Sequence, residues 1–429
     1  MAALLLLLVF LAFATAMASQ RLPALVALPA MALALGLVLV VQHGLGQEQA
    51  SGLLFDHIIT QGSVSLARSM VAALVAGALG QVIRRQGIAS ALVAVATEYA
   101  GERKLPLALA LFLVVMVNFM ALSGVGAILM TGSVVLPVLI SAGIRPVLAS
   151  TLMLLAIAVG GLLNPLALQI YAEVTRVEPT LCRQLALPYA ALLLLLSVLF
   201  LVIRLRQQEQ VFCWAEFSGP DGQTPRLNPL AYLTPLLPLV LFATLGWPPL
   251  VSLALATLYG CLVVRPRQWM TTLTASMVEG ARDVSGLLVL LVGLGMATQT
   301  LSHPLAGATL QPFLQSVSLK NPWTFVACFT VLAPLATYRG PLALYGLGGG
   351  VATLLVSQGL LPPIAVLAAF LCLGQVQSVC DPTCTHGLCL AQLVHEPSEK
   401  FCREALPVIA VFLLLGLSYA SWGQRVLEG

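Results

Sequence analysis

Long apolar runs separated by short polar interruptions dominate this chain. Clear examples cover 23–41, 70–83, 185–203, 230–245 and 406–419. A helix that crosses the hydrocarbon of a bilayer needs roughly 20 consecutive apolar residues, and these runs meet or approach that length. Ten-residue segments of alternating polarity, the mark of a membrane barrel, do not occur. The pattern predicts an all-α polytopic membrane protein.

Composition sharpens this expectation. Of 429 residues, 59% are hydrophobic and 8% charged, and the mean hydropathy is +1.00. A soluble domain carries about a quarter charged residues, so this chain could not cover a water-facing surface. The net charge of +4 matters less than where the charges fall. Arg84-Arg85, Arg204/Arg206 and Arg265/Arg267 each follow an apolar run, which under the positive-inside rule places them in the cytoplasm. No basic-aromatic surface suggests nucleic acid, and no polar stretch is long enough for an enzyme domain. The longest, from Arg204 to Asn228, reads as a linker. Ala16-Met17-Ala18 resembles a signal-peptidase site, but no Lys or Arg precedes the apolar run before it, so a retained first helix is expected. The nine cysteines lie mostly in apolar segments and behave as small hydrophobes, not as a disulfide framework.

Laid against itself, the chain repeats at an offset of about 217 residues, the kind of internal repeat on which many transporters are built. Gln61-Gly62 falls opposite Glu279-Gly280, Ser123-Gly124 opposite Arg339-Gly340, the stretch 140–146 opposite 356–362, and Asn164-Pro165 opposite Asp381-Pro382. The common order of these matches argues against coincidence. Crossings counted from a cytoplasmic linker at 204–228 give a first repeat over 1–203, with spans at 2–18, 23–42, 62–83, 146–172 and 185–203 and a re-entrant hairpin at 105–143. The second repeat, 229–429, has spans at 230–246, 249–264, 284–301, 362–395 and 405–422 and a hairpin at 323–358. Five crossings per half make the repeats inverted. The same count puts Arg21, Arg84, Arg85, Lys104 and Arg145 on the cytoplasmic side, as the charge rule requires.

In inverted-repeat transporters the substrate sits near the midplane, at broken helices and hairpin tips. Backbone groups freed there are too costly against lipid but useful around a polar ligand. Four such interruptions occur, in two pairs. The tips are Ser123-Gly124-Val125-Gly126 and Tyr338-Arg339-Gly340-Pro341; the helix breaks are Gly160 to Pro165 and Ser378 to Thr383. Each proline frees a carbonyl one turn earlier, and Asn164 and Asp381 add side-chain oxygens at equivalent places. The bland alternative for Asn164 is a packing kink. For Asp381 that alternative is weaker, because a central Asp costs about 2.5–3.5 kcal/mol. Arg339 could grip a substrate carboxylate through parallel hydrogen bonds, pair with Asp381, or snorkel to water. The candidate substrate site comprises Ser123, Gly124, Gly126, Asn164, Pro165, Tyr338, Arg339, Gly340, Asp381 and Thr383, with Asp381, His386 and Asn164 as candidates for ion coupling.

Other polar residues weigh less. His386 and His303 could carry protons, since imidazole titrates near neutrality, yet a membrane histidine is as often a hydrogen-bonded packing residue. Cys380, Cys384 and Cys389 with His386 do not match zinc spacing, so no metal or other cofactor is expected beyond a coupling proton or sodium ion. Arg282-Asp283 reads as an internal charge pair one turn inside a helix, and Asp56-His57 as part of an interfacial connector. Gly348-Gly349-Gly350 lacks the Gly-Lys-Ser/Thr of a nucleotide loop, so ATP-driven pumping is not expected.

At 126–137 and at Cys380-Asp381-Pro382-Thr383 the chain resembles the ion transporter superfamily, and most nearly its gluconate/proton symporter-like permeases. That resemblance implies scaffold and transport bodies, an elevator movement, a homodimer in the bacterial inner membrane, and small organic anions such as gluconate, citrate or dicarboxylates carried with protons or sodium. The dicarboxylate/sodium branch has Ser-Asn-Thr at both tips; here Ser123-Gly124-Val125 and Arg339-Gly340-Pro341 stand instead, which favours protons over sodium. Two other functions stay open: a cation/proton antiporter using Asp381, and a non-transporting membrane scaffold with an occluded apolar midplane.

Overall fold

The computed structural model describes residues 2–19, 21–100, 104–207, 227–314, 321–338, 340 and 342–423. Among these residues the chain is helical, without a strand. The first half contains α1 (Ala2–Ala18), α2 (Ala24–His43), α3 (Gln47–Ser51), a π-helical segment Gly52–Gln61, α4 (Gly62–Val64), α5 (Ala67–Arg85), α6 (Ile88–Ala100), α7 (Lys104–Phe119), α8 (Val125–Ser141), α9 (Pro146–Leu162), α10 (Pro165–Thr175) and α11 (Pro179–Gln207). The second half follows with α12 (Leu237–Thr244), α13 (Pro249–Val264), α14 (Trp269–Ser302), α15 (Pro304–Leu314), α16 (Pro322–Val331), α17 (Gly349–Ser357), α18 (Pro363–Gln375), α19 (Thr385–Val394) and α20 (Ser398–Ser418). From α5 and α14 onward the two halves run through the same order of elements. Among the described residues six helices are long and apolar enough to cross a membrane, and a seventh span results if α9 and α10, bent by 59°, are counted as one.

The contact between α5 and α14 explains how the halves fit together. A Cβ added to Gly77 would lie 2.6 Å from the carbonyl oxygen of Gly280, and one on Gly62 would lie 2.8 Å from Cα of Met296. The later residue of the stretch Gln47–Arg85 thus meets the earlier residue of α14, so the two run antiparallel. Gly62 and Gly77 correspond, at the repeat offset, to Gly280 and Gly295, and Gly295 in turn lies against the Gly62 carbonyl, the image of the contact between Gly77 and Gly280. This is the self-complementary arrangement of a two-fold interface, built on small residues that let backbones approach within a bilayer.

Around this crossing α2, α5, α13 and α14 pack as one group. Helices α7, α9, α11, α18 and α20 form a second, with α8 and α19 laid against it. Helix α10 lies between, touching α5 and α13 on one side and α11, α17 and α18 on the other. Lys104 Nζ donates to the Gly143 carbonyl at 3.5 Å, closing the base of the α7–α8 hairpin.

Charged and aromatic side chains sort to opposite ends. Arg85 Nε donates to Glu279 at 3.2 Å, and Arg145 and Arg204 approach Glu404 at 3.9 and 3.4 Å. These belong to the end assigned to the cytoplasm by charge. At the other end His43 meets Thr309 at 3.2 Å, and the rings of Trp323 and Trp422 stand 4.9 Å apart. Exposed ion pairs add little stability; their value here is that each joins segments expected on one side.

Several span boundaries differ from the sequence expectation. The spans at 62–83 and 284–301 belong to longer helical stretches, Gln47–Arg85 and Pro266–Ser302, of 39 and 37 residues. Their polar-laced first turns lower the local hydropathy without ending the helix. Asp56 and His57 therefore lie in the π-helical segment, not in a connector. Arg282 and Asp283 sit well inside α14, and they do not pair: neighbours in a helix point about 100° apart, and Asp283 accepts from Gln81 Nε2 at 2.5 Å. The expected span at 230–246 is a 3-10 turn, Pro229–Leu233, followed by the eight-residue α12, because Pro235 and Pro238 remove backbone donors.

Candidate functional site

Asn164 holds the first break to the first hairpin. Its Nδ2 donates to the carbonyls of Phe119 at 3.0 Å and Leu122 at 3.1 Å, while its Oδ1 accepts the Leu166 N–H at 2.9 Å. The last carbonyl of α7, a carbonyl of the turn that follows it and the first amide of α10 are thereby satisfied by one buried carboxamide, with Pro165 at the first position of α10, where its missing N–H costs nothing. The hairpin tip turns at Gly124, whose φ of +90° suits glycine. A Cβ there would stand 3.7 Å from the Asp283 carbonyl, and Leu122 packs 3.6 Å from the Cβ position of Gly80. The tip therefore rests on the α5–α14 crossing.

The second break repeats the local turn. Asp381 is 1% exposed, and its Oδ1 accepts the Thr383 N–H at 2.8 Å and the Thr383 hydroxyl at 2.6 Å. Both breaks thus use an Asx side chain bonded to the amide two residues on, followed by a short helix. Those helices end alike, at Arg176 with φ 58° and His395 with φ 54°. Where Asn164 can donate, Asp381 presents a carboxylate.

Beside the first clasp, polar atoms are left without partners. Asn118 is fully buried on α7, and neither its Nδ2 nor its Oδ1 has a hydrogen bond; the same holds for the buried Ser123 hydroxyl at the tip and the Thr131 hydroxyl on α8. Buried polar atoms are almost always paired, and leaving one unmade costs about 1–3 kcal/mol. The region from Asn118 to Ser123 therefore offers donors and acceptors to a polar guest.

The remaining expected site residues fall as follows. Gly126 lies in the first turn of α8. Tyr338 is 43% exposed with φ 54°, and the Gly340 N–H donates to the Thr337 carbonyl at 2.9 Å. Arg339 and Pro341, and with them the expected pairing of Arg339 with Asp381 or a ligand, lie outside the described residues. His386 faces the Cys384 sulfur through Nδ1 at 3.2 Å. Among the described residues no group of three or more His, Cys, Asp or Glu could hold a metal ion. His303 stands apart from both breaks: its ring lies 4.9 Å from that of His57, beside a cavity of about 440 Å³ also lined by Gln49, Leu53 and Pro304. Burial, then the neighbouring His57 and His43, hold its pKa below the ordinary 6.5.

Two polar residues escaped the sequence reading. Asn118 was findable as a lone polar residue in the apolar run 105–122. Glu173 was not, because the expected span ended at 172. It lies on α10, accepting from Ser69 Oγ at 2.6 Å and from Gln169 Nε2 at 2.9 Å.

An all-α polytopic membrane protein with a helical hairpin clasped to a broken helix is the class these features define. Residues 1–205 match the family model described as "Tripartite ATP-independent periplasmic transporter, DctM component". This match supports a transporter permease and does not single out the gluconate/proton symporter-like family. It also lends no support to the homodimer implied by that resemblance. No curated protein matches the chain.

Proposed function

We propose that this protein is a secondary active transporter that carries a small organic anion, a carboxylate such as gluconate, citrate or a dicarboxylate, across the bacterial inner membrane. Coupling to protons is favoured over sodium, and the second helix group moves against the α2–α5–α13–α14 group as an elevator. The observation that carries this reading is the orphaned polar pair Asn118 and Ser123 beside the Asn164 clasp. Buried groups without partners at a hairpin tip are expected where a ligand completes the hydrogen bonding. The match of the first half to a transporter described as ATP-independent supports a gradient-driven mechanism. Its description as a component supports work with further subunits. Asp381 and Thr383, at the equivalent break, form the second half of the proposed site, with Arg339 as the anion's counter-charge and Asp381 and His386 as the ion-coupling groups.

The test is uptake of gluconate, citrate and succinate into proteoliposomes under separately imposed pH and sodium gradients. Uptake driven by the pH gradient alone is expected. Asp381→Asn and Arg339→Ala should reduce it at least tenfold, and unchanged uptake by both would sink the site assignment.

A second reading, a cation/proton antiporter, is favoured by one feature: Asp381 is a nearly fully buried carboxylate at a helix break. Sodium-dependent pH changes without uptake of any of the three acids would select it.

A further inference from the structure

The two halves share one element order, yet they do not make the same contacts. Helix α10 packs on α5 and α13, whereas its repeat counterpart α19 packs on α8, α9 and α20 and makes no comparable contact with α14. Likewise α17 of the second hairpin lies heavily on α14, while α8 of the first barely touches α5. An inverted repeat whose symmetry is broken in this way has a second packing, related to the first by the pseudo-two-fold axis, in which the halves exchange roles. In the exchanged packing α19 would approach α14, and α10 would leave α5.

Where α10 meets α5 there is a specific fastening. Ser69, fully buried, lies on α5 between the crossing residues Gly62 and Gly77 and donates to Glu173 Oε2 at 2.6 Å. Gln169, one turn earlier on α10, donates to Oε1 at 2.9 Å. Both carboxylate oxygens accept, and the Ser69 distance falls in the range of O–H···O⁻ bonds, which are about twice as strong as neutral ones. Among the described residues no cation pairs with Glu173. A carboxylate in a membrane span is costly to keep, and the equivalent stretch of α19 carries no acid (Leu390, Ala391, Gln392). Packing alone would be served by a neutral side chain. Helix α10 is also the arm whose first residue adjoins the Asn164 clasp, so its position on α5 sets where the hairpin tip lies.

We propose that Glu173 and Ser69 form an interlock specific to one end state of the transport cycle, so that the bond between them opens and re-forms once per turnover. Glu173 is then a positioning residue: it touches no substrate and biases which packing is populated. This inference rests on the two-body transport reading above.

Two measurements test it. Ser69→Cys/Glu173→Cys, bridged in proteoliposomes by a reducible bis-methanethiosulfonate reagent that replaces the length of the glutamate side chain, should lose the gluconate, citrate or succinate uptake that the untreated variant retains, and return to the untreated level on reduction. Uptake that continues with the bridge formed overturns the proposal. Glu173→Gln and Ser69→Ala should each change the maximal uptake rate about tenfold or more while leaving KM within twofold; a change in KM alone also overturns it. Should the wild type take up none of the three acids, the transport reading fails instead. The interlock is then judged by hydrogen–deuterium exchange of 165–175 in lipid nanodiscs. Exchange about tenfold faster in each single variant, with no further gain in the double variant, supports it, whereas additive or absent effects overturn it.

Discussion

Gly77 of α5 and Gly280 of α14 meet backbone to backbone, closer than any side chain would allow. The antiparallel crossing they form joins the two halves of the chain, and the first hairpin tip rests on it through Gly124 and Asp283. Gly280→Ala puts a methyl group 2.7 Å from the Gly77 carbonyl oxygen, so the helices must part. Overpacking of this kind costs typically 1–3 kcal/mol. Thermal unfolding in detergent should register the loss, and Gly286→Ala, whose Cβ meets nothing within 4 Å, should show no loss and a small gain from the better helix former.

Asn164 serves both as a helix cap and as a clasp on the hairpin. Asn164→Ala strips partners from the Phe119 and Leu122 carbonyls and from the Leu166 amide. At about 1–3 kcal/mol for each buried group left unpaired, the expected loss is on the order of 3 kcal/mol or more. Asn164→Asp separates the two roles. It keeps the acceptor for Leu166 but turns a carboxylate oxygen toward two carbonyls, so it should be as damaging as alanine. A variant with aspartate that melts like wild type at neutral pH would show that the clasp contributes nothing.

Much of this architecture could be read from where hydrophobicity fails. Asn164-Pro165 and Asp381-Pro382 announced two helix breaks, because proline removes a donor and the Asx side chain supplies the missing turn. What escaped was set by contacts distant in sequence. Glu173 falls just past the expected span at 146–172, since a hydropathy window closes where charge begins; its partner Ser69 lies 104 residues away. The stretch 47–64 failed for the opposite reason. Its polar residues share an amphipathic helix with apolar ones, so neither a span nor a loop describes it. The pairing of Asp283 with Gln81 in place of Arg282 needed the antiparallel crossing, 202 residues across the sequence.

Thr383 orients Asp381 through both its amide and its hydroxyl. Thr383→Val removes the hydroxyl and retains the N–H, so the turn survives. A hydrogen bond to a charged group contributes about 1.5–3 kcal/mol, which corresponds to a tenfold or greater change in apparent affinity for the proposed coupling cation. Uptake titrated against the cation gradient reads this directly. Equal affinity in the variant would mean that the Asp381 carboxylate does not meet the cation.

His303 adds an acid-sensitive joint at the end of the molecule opposite the arginine clusters. Its Nδ1 accepts the Leu305 N–H at 3.3 Å, capping α15, and so cannot take a proton without breaking the cap. Burial first, then His57 and His43, depress its pKa below 6.5. The unfolded chain therefore binds more protons than the folded one once the pH falls below about 6.5, and stability must drop there, levelling off only when the folded ring has also titrated. Above that pH the ring is neutral in both states and contributes no dependence. The titratable groups that face it are His57 across the ring contact and His43 on α2. His303→Asn keeps an acceptor for the Leu305 amide and removes the titrating ring. Melting temperatures measured from pH 8 to pH 5 should fall less steeply in this variant than in the wild type, with the two curves meeting near neutrality. Parallel curves over the whole range would show that the imidazole does not govern the joint.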